Sequence, residues 1–75
     1  QRVIGTMNRK LSEMESLLGR YGFLRVHQSY MVNMRYIVNI VSYRLEMQQK
    51  ITLHIPKNRY QYVKREYAFY KGEGL

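Results

Sequence analysis

Apolar residues in the first part of the chain recur at helical intervals. Met7, Leu11, Met14, Leu17 and Leu18 fall at +4, +7, +10 and +11, which is one face of an α-helix. Thr6 is a residue type that suits its N-cap, and Gly19 and Gly22, flanking Arg20 and Tyr21, end the helix and turn the chain. Ahead of it, residues 2–4 read as the end of a strand that opens without a turn or cap. Beyond the glycines the period drops to two. Phe23, Leu24 and Val26 mark a strand running to Gln28, with Arg25 and His27 on the face opposite Leu24 and Val26. Residues 29–35 contain the turn-tolerant Asn33 and are expected to make a tight non-strand passage.

Two β-rich runs follow. Residues 36–47 carry Ile37, Val38, Ile40, Val41 and Tyr43, and residues 50–55 carry Ile51, Leu53 and Ile55, which predicts a hairpin with its tip near Gln48 and Gln49. Pro56 lacks a backbone donor, which suits the end of that strand and the start of a new element. From Asn58, the expected cap, Tyr60, Val63, Tyr67 and Tyr70 mark a second amphipathic helix that docks by an aromatic stripe. Residues 72–75 are expected to fray.

Composition narrows what such a chain can do. At 75 residues it holds one small domain, spanning residues 1–75, and with no Cys its fold rests on apolar burial alone. A chain of this size buries only ~60% of the surface that its unfolded form exposes, so stability is expected to be marginal. The longest apolar stretch is far short of the ~20 residues that a bilayer requires, and no signal segment opens the chain, so a soluble, cytoplasmic protein without membrane contact is expected. Thirteen basic residues against five acidic ones give a net charge of +8, and there is no Asp. Residues 1–19 carry three basic and two acidic groups, whereas residues 20–75 carry ten and three, so the excess lies in the β region and the last helix. Arg20, Arg25, Arg35, Lys57 and Arg59 stand at or beside joints between elements, as loops facing a phosphate backbone would require. The competing reading of any one of them is a solvated residue that discourages edge pairing, and Lys64, Arg65 and Lys71 also fit the outer face of the last helix.

Catalysis finds little support. His27 and His54 have no Cys or Asp to complete a metal site, Glu13 and Glu15 point to different sides of a helix, and Ser12, Ser16, Ser29 and Ser42 lack nucleophile-elbow glycines. Neither enzymatic activity nor a cofactor or metal is expected.

From Phe23 to Ile37 the chain reads F-L-R-V-H-Q-S-Y-M-V-N-M-R-Y-I. This resembles the LytTR DNA-binding domain of bacterial response regulators, whose signature is close to F-x-R-x-H-x-S-Y-hydrophobic-V-N-x-x-x-I. Phe23, Arg25, His27, Ser29, Tyr30, Met31, Val32, Asn33 and Ile37 all match. The flanks agree too, with Gly5, Thr6 and Met7 before the motif and a hairpin, an I-P step and a basic segment after it. The resemblance covers the chain but only the later two-thirds or so of the family's domain, whose early strands and their DNA-contacting loop are expected to be missing. It implies a mainly β fold of small antiparallel sheets with short helices, in which loops enter successive major grooves of double-stranded DNA at promoter direct repeats.

Carried over by position, the family's base-reading residue after the motif histidine is Gln28, whose amide can pair with the N6 and N7 edge of adenine. The second reading position falls in Lys57, Asn58, Arg59 and Tyr60, where members often show Ser-Arg-Arg. Asn58 therefore replaces the usual Ser and Tyr60 the second Arg, and the guanine or phosphate contact falls to Arg59 or Lys57. Arg25 and Ser29 are implied as phosphate ligands. For His27 a structural or phosphate role is expected, for Asn33 a backbone role, and for Tyr30 and Met31 a place in the core. The module is read as the output of a transcriptional regulator with a sensory domain elsewhere, self-associating through unpaired sheet edges or that further domain. The alternative is a general RNA or single-strand binder, since eight Tyr lie among basic residues that could stack bases.

Overall fold

A computed structural model describes residues 2–5 and 8–72. The first helical period forms α1, Asn8–Gly19, preceded by a short strand β1, Val3–Gly5. The expected Thr6 cap, Met7 and the tail beyond residue 72 lie outside the described residues. Leu11 is fully buried and Met14 and Leu18 are half-buried, but Leu17 is 56% exposed. At ~100° per residue, Leu17 lies ~120° around the helix from Leu11, on the flank of the apolar stripe.

Gly22 at φ +84° turns the chain into β2, Phe23–His27, with Leu24 and Val26 buried on one face as the alternation predicts. The next segment corrects the expected passage at residues 29–35: Tyr30–Asn33 is strand β3, the centre of an antiparallel sheet ordered β1, β3, β2. Met31 and Val32 are adjacent and both buried. A strand covered on both faces shows no alternation, and its signature disappears from the sequence. Val32 stands opposite Val3 and Leu24, a row that faces the main core, while Met31 stands opposite Ile4 and Arg25, a row on the α1 side. Asn33 keeps its expected backbone role, because its side-chain oxygen accepts from the Arg35 amide at 3.1 Å and caps the 3-10 turn Met34–Tyr36.

Residues 37–55 likewise depart from the expected single hairpin and form a three-stranded meander. The run at residues 36–47 folds back on itself as β4, Ile37–Val41, and β5, Arg44–Met47, before β6, Ile51–His54, completes the second sheet. The missed turn is Ser42–Tyr43, with φ of 52° and 60°, between the paired residues Val41 and Arg44. Both φ values are positive, as a two-residue hairpin turn demands, yet neither residue is the Gly or Asn that would announce it. The turn expected near Gln48 and Gln49 does join β5 to β6.

The last helix, α2, spans Lys57–Tyr70. Pro56 occupies its cap position, with φ −57° and ψ 145°. Asn58 is therefore already helical and exposed, which corrects its expected capping role. Val63 is fully buried and Tyr60 and Tyr67 pack on the core, whereas Tyr70 is 48% exposed, so the aromatic stripe is shorter than its spacing implies. One cluster unites the two sheets and α2: Leu24, Val26, Val32, Ile37, Leu45, Met47, Ile55 and Val63. Tyr30 is half-buried and packed against this core, and its hydroxyl crosses the seam between the sheets to donate to the His54 carbonyl at 3.0 Å. The expectation of small antiparallel sheets with short helices thus holds. Among the described residues no helix is long and apolar enough to cross a membrane.

Candidate nucleic-acid interface

The β2–β3 connection is two residues long. His27 pairs with Tyr30 across the ladder, leaving Gln28 and Ser29 as the turn, and a register shift between Arg25 and His27 re-aims the end of β2. Both turn side chains are exposed, while the turn backbone is held from beneath. Arg25 donates from Nε to the His27 carbonyl at 3.2 Å and from Nη2 to the Gln28 carbonyl at 2.8 Å. The Ser29 amide donates to His27 Nδ1 at 3.0 Å, which fixes that ring with its proton on Nε2, and the ring stacks on Tyr30 at 4.7 Å between centroids and 5° between planes. Burial pushes the Tyr30 hydroxyl above its ordinary pKa, so it stays a donor to His54.

Arg25 is anchored in turn by α1. Its Nη1 donates to Ser12 Oγ at 2.6 Å and to Glu15 Oε1 at 3.1 Å, and its side chain is only 11% exposed. Implied as a phosphate ligand, Arg25 instead spends these donors on internal acceptors, and its visible action is to hold the turn. Its own carbonyl accepts from Arg59 Nη2 at 2.8 Å, which ties β2 to the first turns of α2. Arg59 is itself laid over the Tyr62 ring, 4.8 Å from the centroid, and its Nε is buried with no partner among the described residues.

Lys57 and Asn58 project from the first turn of α2 into solvent. That turn contains no acidic residue, and no side chain caps it. The Arg59 amide donates to the Pro56 carbonyl at 2.9 Å, and with no carboxylate in the turn the positive end of the helix dipole adds to the Lys57 charge instead of being neutralised. Ser12, Arg25, His27, Gln28 and Arg59 line a shared hollow of about 270 Å³. The structure therefore brings six of the seven sequence-derived residues to the β2–β3 turn and the start of α2, with their side chains at the surface or at this hollow, while the seventh, Arg25, also lines the hollow but directs its guanidinium to acceptors of the protein itself. Among the described residues there is no cluster of three or more His, Cys, Asp or Glu that could hold a metal.

Sequence reasoning missed the supports: Ser12 and Glu15, three apart on α1, and Tyr62, three after Arg59 on α2. The spacing put each pair on one helix face. What it could not supply was which face meets β2.

The family model of the LytTr DNA-binding domain matches residues 2–67. No curated protein and no solved structure matches the chain.

Proposed function

Because the chain belongs to the LytTr DNA-binding domain family, we propose that the Gln28–Ser29 turn and the start of α2 enter the major groove of duplex DNA and read its sequence. Gln28 pairs with an adenine edge, Ser29 and Lys57 take flanking phosphates, and Asn58 and Arg59 supply the second contact, with His27 and Arg25 setting the turn. The domain serves as the output module of a bacterial transcriptional regulator at promoter direct repeats, two copies of the chain lying on successive repeats. The observation that carries this reading is the joined geometry: an exposed turn whose carbonyls are locked by Arg25, tied through Arg59 to an uncapped, basic helix start. Tyr30, Tyr36, Tyr60, Tyr62 and Tyr67, five of the eight tyrosines, pack against the core. That favours a duplex over a single strand, which would need those rings for stacking.

Gln28→Ala tests the reading. A preferred site is first selected from a randomised duplex library, and affinities for it and for a scrambled duplex are then compared by fluorescence anisotropy. The variant is expected to lose ~1 to 3 kcal/mol of discrimination while binding the scrambled duplex unchanged. Equal losses on both duplexes would show that Gln28 does not read bases.

A further inference from the structure

Arg44 stands opposite His54 in the β5–β6 ladder and opposite Val41 in the β4–β5 ladder. Residues directly opposed in antiparallel strands share a face. Arg44 and His54 are both exposed, whereas the next pair in register, Leu45 and Leu53, turns to the core. Arg44 and His54 therefore lie side by side on the solvent face of the second sheet. Arg44 forms no ion pair among the described residues.

The place of this pair is fixed relative to the reading turn. The His54 carbonyl receives the Tyr30 hydroxyl, Tyr30 stacks on His27, and His27 holds the Ser29 amide. In the other direction the chain passes from His54 through Ile55 and Pro56 into Lys57 and α2. Arg44 directly follows the Ser42–Tyr43 turn, whose left-handed backbone is held by the Ile55 amide on the Tyr43 carbonyl at 2.8 Å and by the Tyr60 ring, 4.4 Å from the Tyr43 ring. Non-glycine residues persist in that conformation where surrounding structure overdetermines them. Arg44 thus stands at a braced strand end, paired with the residue that is tied to the reading turn through Tyr30 and that leads through Ile55 and Pro56 into α2.

We propose that Arg44 and His54 form a further phosphate-binding site, in which the guanidinium of Arg44 and an imidazole N–H of His54 grip one backbone phosphate of the same duplex. It rests on the duplex reading given above and adds a contact made by a sheet face rather than by a loop. The chemistry fits, because the planar fork of an arginine matches a phosphate's oxygens and a neighbouring imidazole N–H adds a third hydrogen bond.

The test compares wild type with Arg44→Ala, Arg44→Lys and His54→Ala for binding to a scrambled duplex across a salt series, with phosphate ethylation interference on the selected site. Arg44→Ala is expected to bind roughly five- to tenfold more weakly, with the log-log salt slope reduced by about 0.9 and one phosphate lost from the interference pattern. Arg44→Lys is expected to keep the slope, and His54→Ala to weaken binding about two- to threefold at an unchanged slope. An Arg44→Ala protein with wild-type slope and interference pattern overturns the site while leaving the duplex reading intact. A wild-type protein whose duplex binding ignores salt overturns that reading, and the site with it.

Discussion

Replacing Arg25 by alanine is expected to lower folding stability by ~2 to 4 kcal/mol. The side chain is 11% exposed, and its guanidinium gathers the carbonyls of His27 and Gln28, the Ser12 hydroxyl and the Glu15 carboxylate. Each hydrogen bond to a charged group is worth ~1.5 to 3 kcal/mol when lost singly, but the four share one donor group and do not add. Glu15 is 39% exposed, so water takes over part of its partner's role and the ion-pair share is small. The two turn carbonyls dominate the loss. Arg25→Lys should recover less than half of it, since an ammonium cannot reach acceptors on α1 and in the turn at once as the forked guanidinium does. Urea denaturation of the three proteins measures this, and stabilities within ~0.5 kcal/mol of each other would mean that the turn stands without its brace. Below its melting transition the alanine variant should also lose site discrimination more than Gln28→Ala does, because the whole turn is released instead of one side chain.

The second large effect is on salt dependence. Lys57, Arg59, Arg44 and Lys64 are the cations that lie on or beside the two reading elements; Lys64 sits over Tyr60, which contacts Tyr43 next to Arg44. Four phosphates neutralised give a log-log slope of about −3.6, so raising salt from ~50 to ~200 mM should weaken duplex binding ~100-fold. The formal charge of +8 would suggest a steeper slope. It is not expected, because Arg25 is spent on Glu15 and internal carbonyls, and Arg65 lies 3.6 Å from Glu66. Anisotropy titrations at five or six salt concentrations yield the slope directly. A flat response would remove DNA as the partner, and a slope beyond about −7 would mean that most basic residues touch phosphate and that the proposed face is too small.

How far the sequence foretold this arrangement differs from element to element. α1, β2 and α2 were legible because each keeps one buried face, and a single face leaves a period in the sequence. β3 was not, because Met31 and Val32 are buried on opposite sides of a strand covered twice. The division of β4 from β5 was hidden for another reason: Ser42 and Tyr43 adopt positive φ with neither Gly nor Asn, and Tyr60 and Ile55 supply the bracing that such residues would otherwise make unnecessary. At the candidate site, the exposure of Gln28, Ser29, Lys57 and Asn58 follows from their places at the ends of β2 and α2. The inward turn of Arg25 does not. It depends on α1 laying Ser12 and Glu15 against the outer face of β2, a tertiary choice that no local pattern encodes.

The most direct measurement is a titration of the isotope-labelled protein with its selected duplex, followed by amide resonances. The amides of Gln28, Ser29, Lys57, Asn58 and Arg44 are expected to move together, while those of the exposed Leu17 and Tyr21, toward the opposite end of β2, stay in place. Shifts confined to Leu17, Tyr21 and Phe69, with the Gln28–Ser29 turn unmoved, would contradict the proposal that this turn and the start of α2 meet the DNA.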